Sequence, residues 1–471
     1  MKQLIVLVTN GFKVGCAAER NYLLAVFVMA LVFVFRFTPV GGIDEQFHFE
    51  RAQQISQGNF FAQRYGRNDF GGGLDNRMIE WMRYFTTQRD HQQPADREQA
   101  NALAVKLDSA PSARTRLSFP STASFSPLMY LPSAIAMDAA RLVHARVDTQ
   151  FYAGRIGNLV GAFILLIILL SILPVGRLAM LVLMTTPTCL HLATAYSADP
   201  VTNLTAFIFI ACCLRARMAT DPQERTTWMH AVLWLAAPLG FLKLTCCLIS
   251  LACLMIPADA FASARQRVKF CATAIGLSVG AALLWNMLYP FNPGAYWGTG
   301  ANPKLALHNL LIHPLAVAEE FKNTYSVGSQ WWWEDAWGRF GGGPEPLFFK
   351  IGQTTSVISA ALMGCLLLVD VRQARSAFSG TMLIVLGAVY SFLILLAFYV
   401  SFAKIGEWSI SGLQGRYFLL TWGMGLLGAA LLLPKRERLW NQAAILLLCV
   451  NFVCVARTGI LSLAIYARIW N

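Results

Sequence analysis

The sequence predicts an all-α polytopic membrane protein, and three observations carry that expectation. Of 471 residues, 56% are hydrophobic and only 13% charged, against about 25% charged in ordinary soluble domains. The apolar residues gather in blocks, several of them long enough to cross a hydrocarbon layer about 30 Å thick. The net charge of +13 reads first as basic loops on the cytoplasmic side of a membrane, and only in a soluble chain as a nucleic-acid signal. Composition thus excludes a nucleic-acid-binding globular domain. It also excludes a secreted, disulfide-stapled one: the 11 cysteines lie in the N-terminal stretch or in apolar segments, none forms a C-x-x-C pair, and they read as small apolar packers.

Blocks bounded by charges, Pro or Gly run over 22–39, 151–173, 178–195, 201–214, 228–242, 244–257, 268–290, 349–369, 381–402, 417–433 and 442–456. The first reads as an uncleaved anchor, because the apolar run 4–8 is too short for a signal peptide and Lys13 and Arg20 follow it. Four of the blocks have only about 14 or 15 residues, or roughly 21 Å of α-helix. The stretch 228–257 could therefore be one tilted helix, or two short ones meeting at Lys243. The basic residues favour two. With the N-terminus inside, the short inner loops then hold Lys2, Lys13 and Arg20; Arg177; Arg215, Arg217 and Arg225; Arg265, Arg267 and Lys269; Arg372 and Arg375; and Lys435, Arg436 and Arg438. The short outer loops hold only Lys243, Lys404 and Arg416. A missed span would invert every later loop and destroy this asymmetry. The expectation is eleven spans, N-terminus in and C-terminus out.

Two large regions then face outside, 40–150 and 291–348. Neither shows strand periodicity. Within the first, 126–145 is apolar but carries Asp138, Arg141 and two prolines, which suits a helix lying on the outer leaflet. The chain divides into a module over 1–290, an aromatic external loop over 291–348, and C-terminal spans over 349–471. The glycine triplet 341–343 before Pro344 reads as a flexible loop, and no phosphate-cradling G-x-x-x-x-G-K-[ST] run occurs.

Five constellations fall on the outer side. Asp44-Glu45 with His48 follows the first span, where a carboxylate could take a proton at the interface; the plainer alternative is a solvated acidic loop. Asp199, in Tyr196-Ser197-Ala198-Asp199-Pro200, is either an N-cap or a buried acid with a partner. Lys243, in an apolar surround, either snorkels or meets an anion. In Gln414-Gly415-Arg416-Tyr417 the arginine is a forked donor suited to phosphate, or an interfacial anchor. Trp331-Trp332-Trp333-Glu334-Asp335-Ala336-Trp337 is an aromatic belt or a sugar-stacking platform. Asp44, Asp199 and His48 could also join a divalent metal site. Two acids and two cations at outer helix ends suit a substrate bearing a phosphate and a transferable group. Since no nucleotide is at hand outside, a lipid-linked donor is the economical one.

The run Asp44-Glu45-x-x-His48-Phe49-x-Arg51-Ala52 with Ser56-x-Gly58 resembles the opening signature of a bacterial multi-spanning family catalogued only as a domain of unknown function. The likeness continues at Ser126-Pro127-Leu128-Met129-Tyr130-Leu131-Pro132, at Tyr196-Ser197-Ala198-Asp199, at Lys243 and at Gln414-Gly415-Arg416-Tyr417-Phe418. That family looks like part of the GT-C glycosyltransferase superfamily, whose members use polyprenyl-phosphate sugars on the outer face of the membrane. The resemblance implies a GT-C-like fold on the bacterial inner membrane and a glycan or lipid acceptor. It implies catalytic acids at Asp44, helped by Glu45, and at Asp199, and a juxtamembrane helix over 126–145. Substrate-binding roles fall to Lys243, Arg416, Gln414, Tyr417, His48 and Tyr130; some members of that superfamily also bind a divalent ion. No counterpart to 61–116 matches. The expected reaction is inverting displacement with Asp44 as general base. The alternatives are a transporter or flippase for a lipid-linked saccharide, and a silent scaffold; no clear inverted repeat supports transport.

Overall fold

A computed structural model describes residues 17–91, 93–291, 293–339, 346–369, 376–433 and 441–470. The N-terminal basic residues Lys2 and Lys13, the triplet 341–343 and the loop charges at 372, 375, 435, 436 and 438 lie outside them. The protein is a mostly helical polytopic membrane protein. Among the described residues, seven helices are long and apolar enough to cross a bilayer: α1 (Ala17–Arg36), α6 (Val147–Ile172), α9 (Asp199–Met218), α11 (Ala264–Leu288), α15 (Ala377–Ser401), a segment Gly415–Leu432, and the Gln442–Ala464 part of α17.

Of the remaining apolar blocks, 349–369 lies in the single helix Pro346–Val369, whereas 178–195 and 244–257 are not single α-helices. Block 178–195 is two eight-residue helices, α7 (Arg177–Met184) and α8 (Pro187–Thr194). Pro187 cannot donate a backbone hydrogen bond, and Thr186 turns its side chain to the Cys189 amide instead, so the helix restarts there. Block 228–242 belongs to the 21-residue helix α10 (Pro222–Leu242), which ends at Lys243. Leu244–Met255 is a 12-residue 3-10 helix. Its rise of about 2.0 Å per residue carries it over roughly 24 Å, further than an α-helix of equal length would reach.

Buried polar side chains tie helices together where lipid offers no hydrophobic drive for helix pairing. The Tyr22 hydroxyl is 2.8 Å from Thr185 Oγ1, Asn451 Nδ2 donates to the Tyr22 hydroxyl at 2.7 Å, and Ser359 Oγ donates to Asn451 Oδ1 at 3.2 Å. One chain of bonds thus joins α1, the α7–α8 break, α14 (Pro346–Val369) and α17 (Asn441–Trp470).

The region after α1 is more structured than its sequence suggests. It holds α2 (Glu45–Ser56), α3 (Asn76–Asp90), α4 (Arg97–Asp108) and α5 (Leu131–Leu142). It also holds a three-stranded antiparallel sheet of β1 (Gln63–Gly66), β2 (Asp69–Asp75) and β3 (Arg114–Ser118). The expectation of no strands is overturned here. The central strand, Asp-Phe-Gly-Gly-Gly-Leu-Asp, lacks β-branched residues, and its glycines let a partner strand and Gln54 approach: a Cβ on Gly71 would lie 1.9 Å from Leu117 O, and one on Gly72 would lie 2.6 Å from Gln54 Nε2. The helix expected over 126–145 is present as a 3-10 turn (Pro127–Tyr130) running into α5. It packs on α6, with Ile135, Leu142 and Val143 exposed.

Candidate functional site

The Asp44-Glu45 pair divides between two tasks. Asp44 stands just before α2 with a left-handed backbone, φ 56° and ψ 16°, and its side chain caps no helix amide. Aspartate tolerates that conformation better than most residues, though it still carries strain. The turn aims the carboxylate at Arg416, whose Nη2 donates to Asp44 Oδ2. Glu45, one residue on, faces the other way. Its oxygens pair with Arg155 Nε and Nη2, both at 2.7 Å, and accept from the Gly42 and Tyr196 amides at 3.0 and 3.2 Å. Both side chains are fully buried. Arg155 further donates to the carbonyls of Val34, Phe37 and Thr38. The expected part of Glu45 in helping Asp44 is therefore withdrawn: its oxygens are committed to clamping the end of α1 to α6. A basic residue at 155, inside an otherwise apolar block, was the sequence signal for this clamp.

Asp199 begins α9, where the positive end of the helix dipole favours a carboxylate. Ala198 holds the cap position, so Asp199 is not the cap. Asn158 sets the approach by donating to the carbonyls of Leu192 and Ala195, and the Tyr196 hydroxyl donates to Phe151 O at 2.7 Å. The Asp199 carboxylate meets both expected cations: Lys243 Nζ at 2.6 Å from Oδ1, and Arg416 Nη1 at 3.5 Å from Oδ2. Lys243 is thus paired with an acid. Four charges separated by up to 372 positions in the chain form one continuous group, Asp44–Arg416–Asp199–Lys243.

Asp335, which the sequence offered only as part of the tryptophan segment, holds Arg416 in position. Its Oδ2 accepts from the Gly415 amide at 2.5 Å and its Oδ1 accepts from Arg339 at 2.8 Å, with the side chain fully buried. Residue 415 must be glycine, since a Cβ would lie 2.1 Å from Trp332 O. This packing seats the 3-10 turn Gly415–Phe418 against α13 (Pro314–Trp337). Arg416 is buried, and its Nε and Nη1 donate no hydrogen bond. Nη1 faces Asp199 at 3.5 Å, and Nε keeps its hydrogen-bonding capacity.

A cavity of ≈ 210 Å³ opens beside the charges, and its lining combines Asp199, Lys243 and Arg416 with Tyr390, Ile394 and Phe398 of α15. Lys243 Nζ lies 5.8 Å from the ring centres of both Phe125 and Tyr417, and the Arg416 guanidinium 5.3 Å from that of Tyr417. These cation–π contacts keep the cations at the mouth. Tyr417 is therefore gathered into the site, whereas Gln414 lines a neighbouring cavity.

His48 and Tyr130 are joined by a 2.8 Å hydrogen bond between Nδ1 and the hydroxyl. Burial pulls the His48 imidazole down to about 4, against an opposing pull from Asp44. Burial also raises the Asp44 carboxyl, but Arg416 and then His48 outweigh it, and the net shift is below its ordinary value. Asp44 is therefore ionised and His48 neutral at neutral pH. Because the folded His48 pKa lies below its unfolded value of about 6.5, the unfolded chain binds more protons between those values. The His48 contribution to stability is then complete above about pH 6.5 and is lost as pH falls toward 4. A His48→Gln variant should lose less melting temperature than the wild type between pH 7 and 5. Parallel pH dependences in thermal melts would contradict this.

Among the described residues no group of three His, Cys, Asp or Glu side chains converges as a metal-binding set. Arg416 pairs with both Asp44 and Asp199, and Lys243 pairs with Asp199, so the two acids have cationic partners already.

The fold and this site define a polytopic membrane protein in which two acids and two cations from separate helix ends converge. Residues 27–420 match the family described as "Predicted membrane protein (DUF2142)", and the chain belongs to that family. No curated protein matches it. No solved structure matches it either.

Proposed function

We propose that the protein is a GT-C-type glycosyltransferase of the bacterial inner membrane. It moves a sugar from a polyprenyl-phosphate donor to a glycan or lipid acceptor on the outer, periplasmic face. The observation that carries this reading is the meeting of Asp44, Asp199, Lys243 and Arg416 beside a cavity lined by both charged and apolar side chains. A phosphate-linked lipid likewise combines a charged group with an apolar chain. Eleven crossings with the N-terminus inside put the cluster on the outer face, since the inner loops hold the basic excess.

In this mechanism the donor phosphate docks on Lys243 and on the Arg416 guanidinium, whose Nε makes no hydrogen bond. The acceptor hydroxyl attacks the anomeric carbon from the opposite side, and its proton passes to Asp44. The carbon–oxygen bond to phosphate breaks, polyprenyl phosphate leaves with the electron pair, and the configuration inverts. Arg416 matters twice: it keeps Asp44 ionised before reaction, and it meets the negative charge that grows on the leaving phosphate. Asp199 fixes Lys243 and Arg416 relative to one another. A divalent ion is not required for charge balance in this scheme.

The test is to supply purified protein in proteoliposomes with polyprenyl-phosphate sugars and an acceptor lipid or glycan. Transfer predicts stoichiometric release of polyprenyl phosphate with glycosylated acceptor. Movement of intact donor across the bilayer, with no release, would overturn the reading in favour of a flippase.

A further inference from the structure

We propose that a second cavity, between α13 and the loop 409–414, holds a sugar ring of the acceptor glycan. This assignment rests on the transfer reading for its role, and on its own geometry for its chemistry. The cavity measures ≈ 300 Å³ and is lined by Trp331, Trp332, Gly328, Ser409 and Gln414 among others, which falls at the small end of the range for small-molecule pockets. A pyranose ring offers an apolar C–H face and a rim of hydroxyls. Indole rings suit the face, and amide and hydroxyl groups suit the rim.

Two features separate this cavity from an aromatic belt. Trp332 is buried and stacks on Phe418 at 4.9 Å with Tyr325 against its edge, so it does not face headgroups. Its indole also needs the glycine beneath it, because a Cβ on Gly328 would lie 2.4 Å from the ring. The wall is therefore built and fixed. Gln414 adds a buried Oε1 with no hydrogen-bond partner, an acceptor waiting for a hydroxyl.

The position favours a water-borne glycan over the lipid donor. The lining comes from α13 and an irregular loop, and α13 carries Glu319, Glu320 and Lys322 and is not among the helices apolar enough to cross a membrane. The cavity at Lys243 is the one walled by a membrane helix. Gln414 connects the two, because Arg416 follows it by two residues in the turn that Asp335 holds.

The experiment pairs calorimetric titration of the detergent-purified protein with steady-state transfer kinetics. The probes are soluble disaccharides of hexoses, N-acetylhexosamines and deoxyhexoses, together with the Trp331→Leu and Gln414→Ala variants. Saturable binding of at least one probe, weakened about ten-fold or more in both variants, is expected. In kinetics, Trp331→Leu should raise the acceptor KM by a similar factor and move the donor KM by less than about two-fold. Absence of binding across the panel, equal binding by the variants, or a donor KM that rises in place of the acceptor KM would overturn the site. Variant-sensitive binding by a protein that transfers no sugar would leave the saccharide site standing and overturn the transfer reading alone.

Discussion

Replacing Arg155 with Met should destabilise the protein by about 3–5 kcal/mol, because it strands Glu45 as a buried charge without its partner. Both side chains are fully buried and joined by two 2.7 Å hydrogen bonds, and Arg155 also satisfies three carbonyls at the end of α1. Glu45→Gln alone should cost less, since its one amide oxygen can still accept from either the Gly42 or the Tyr196 amide, and Arg155 keeps its three carbonyl acceptors. Removing both charges together should recover much of the Arg155→Met loss, as expected for neighbours in one network. Thermal melts of the four proteins in one detergent measure this cycle. Additive losses would contradict a pair that acts as one unit. The effect should reach activity as well, because the Glu45 clamp fixes the chain next to Asp44.

Arg416→Lys should lower the transfer rate about 10²–10³-fold, the range seen when a positioned donor is removed from developing negative charge. The guanidinium touches Asp44 through Nη2 and Asp199 through Nη1 at once, and its Nε makes no hydrogen bond. An ammonium group is a point charge on a flexible stem and cannot span the two carboxylates in that planar geometry. Asp44 would then lose the partner that holds its carboxyl below its ordinary value, and the acid limb of the pH–rate profile should move upward. Steady-state kinetics of the folded variant across pH measure both effects. A rate within about three-fold of wild type, with an unshifted acid limb, would remove Arg416 from the chemistry.

Much of the site is legible in the sequence, because the residues that matter are chemically out of place. Lys243 in an apolar surround, Asp199 before a proline and Arg416 in Gln-Gly-Arg-Tyr each violate the apolar pattern around them, and their meeting follows from that shared exception. Asp44 and Glu45 cannot be told apart by sequence. The left-handed turn at Asp44 sends adjacent carboxylates to different partners, and backbone conformation at a single residue leaves no trace in composition. The sheet is hidden for a related reason. The β2 strand is held by its backbone and by glycines that admit neighbours, not by the alternation that marks a strand. The break at Pro187 and the 3-10 form of Leu244–Met255 are hidden because apolar blocks report burial, while proline and helix type decide how far a block reaches. Asp335 is masked by its tryptophan neighbours, and its role depends on the Gly415 amide 80 positions away.

The most direct measurement compares wild type and Asp44→Asn, each reconstituted in liposomes with a polyprenyl-phosphate sugar labelled in the sugar and an acceptor lipid. The substitution keeps the shape and a hydrogen-bond acceptor for Arg416, so the variant should fold and bind donor while losing the base. The account predicts labelled acceptor and equimolar polyprenyl phosphate from wild type, with transfer by the variant reduced about 10²–10⁴-fold. A folded Asp44→Asn protein that transfers at the wild-type rate would contradict the assignment of this acid as the base.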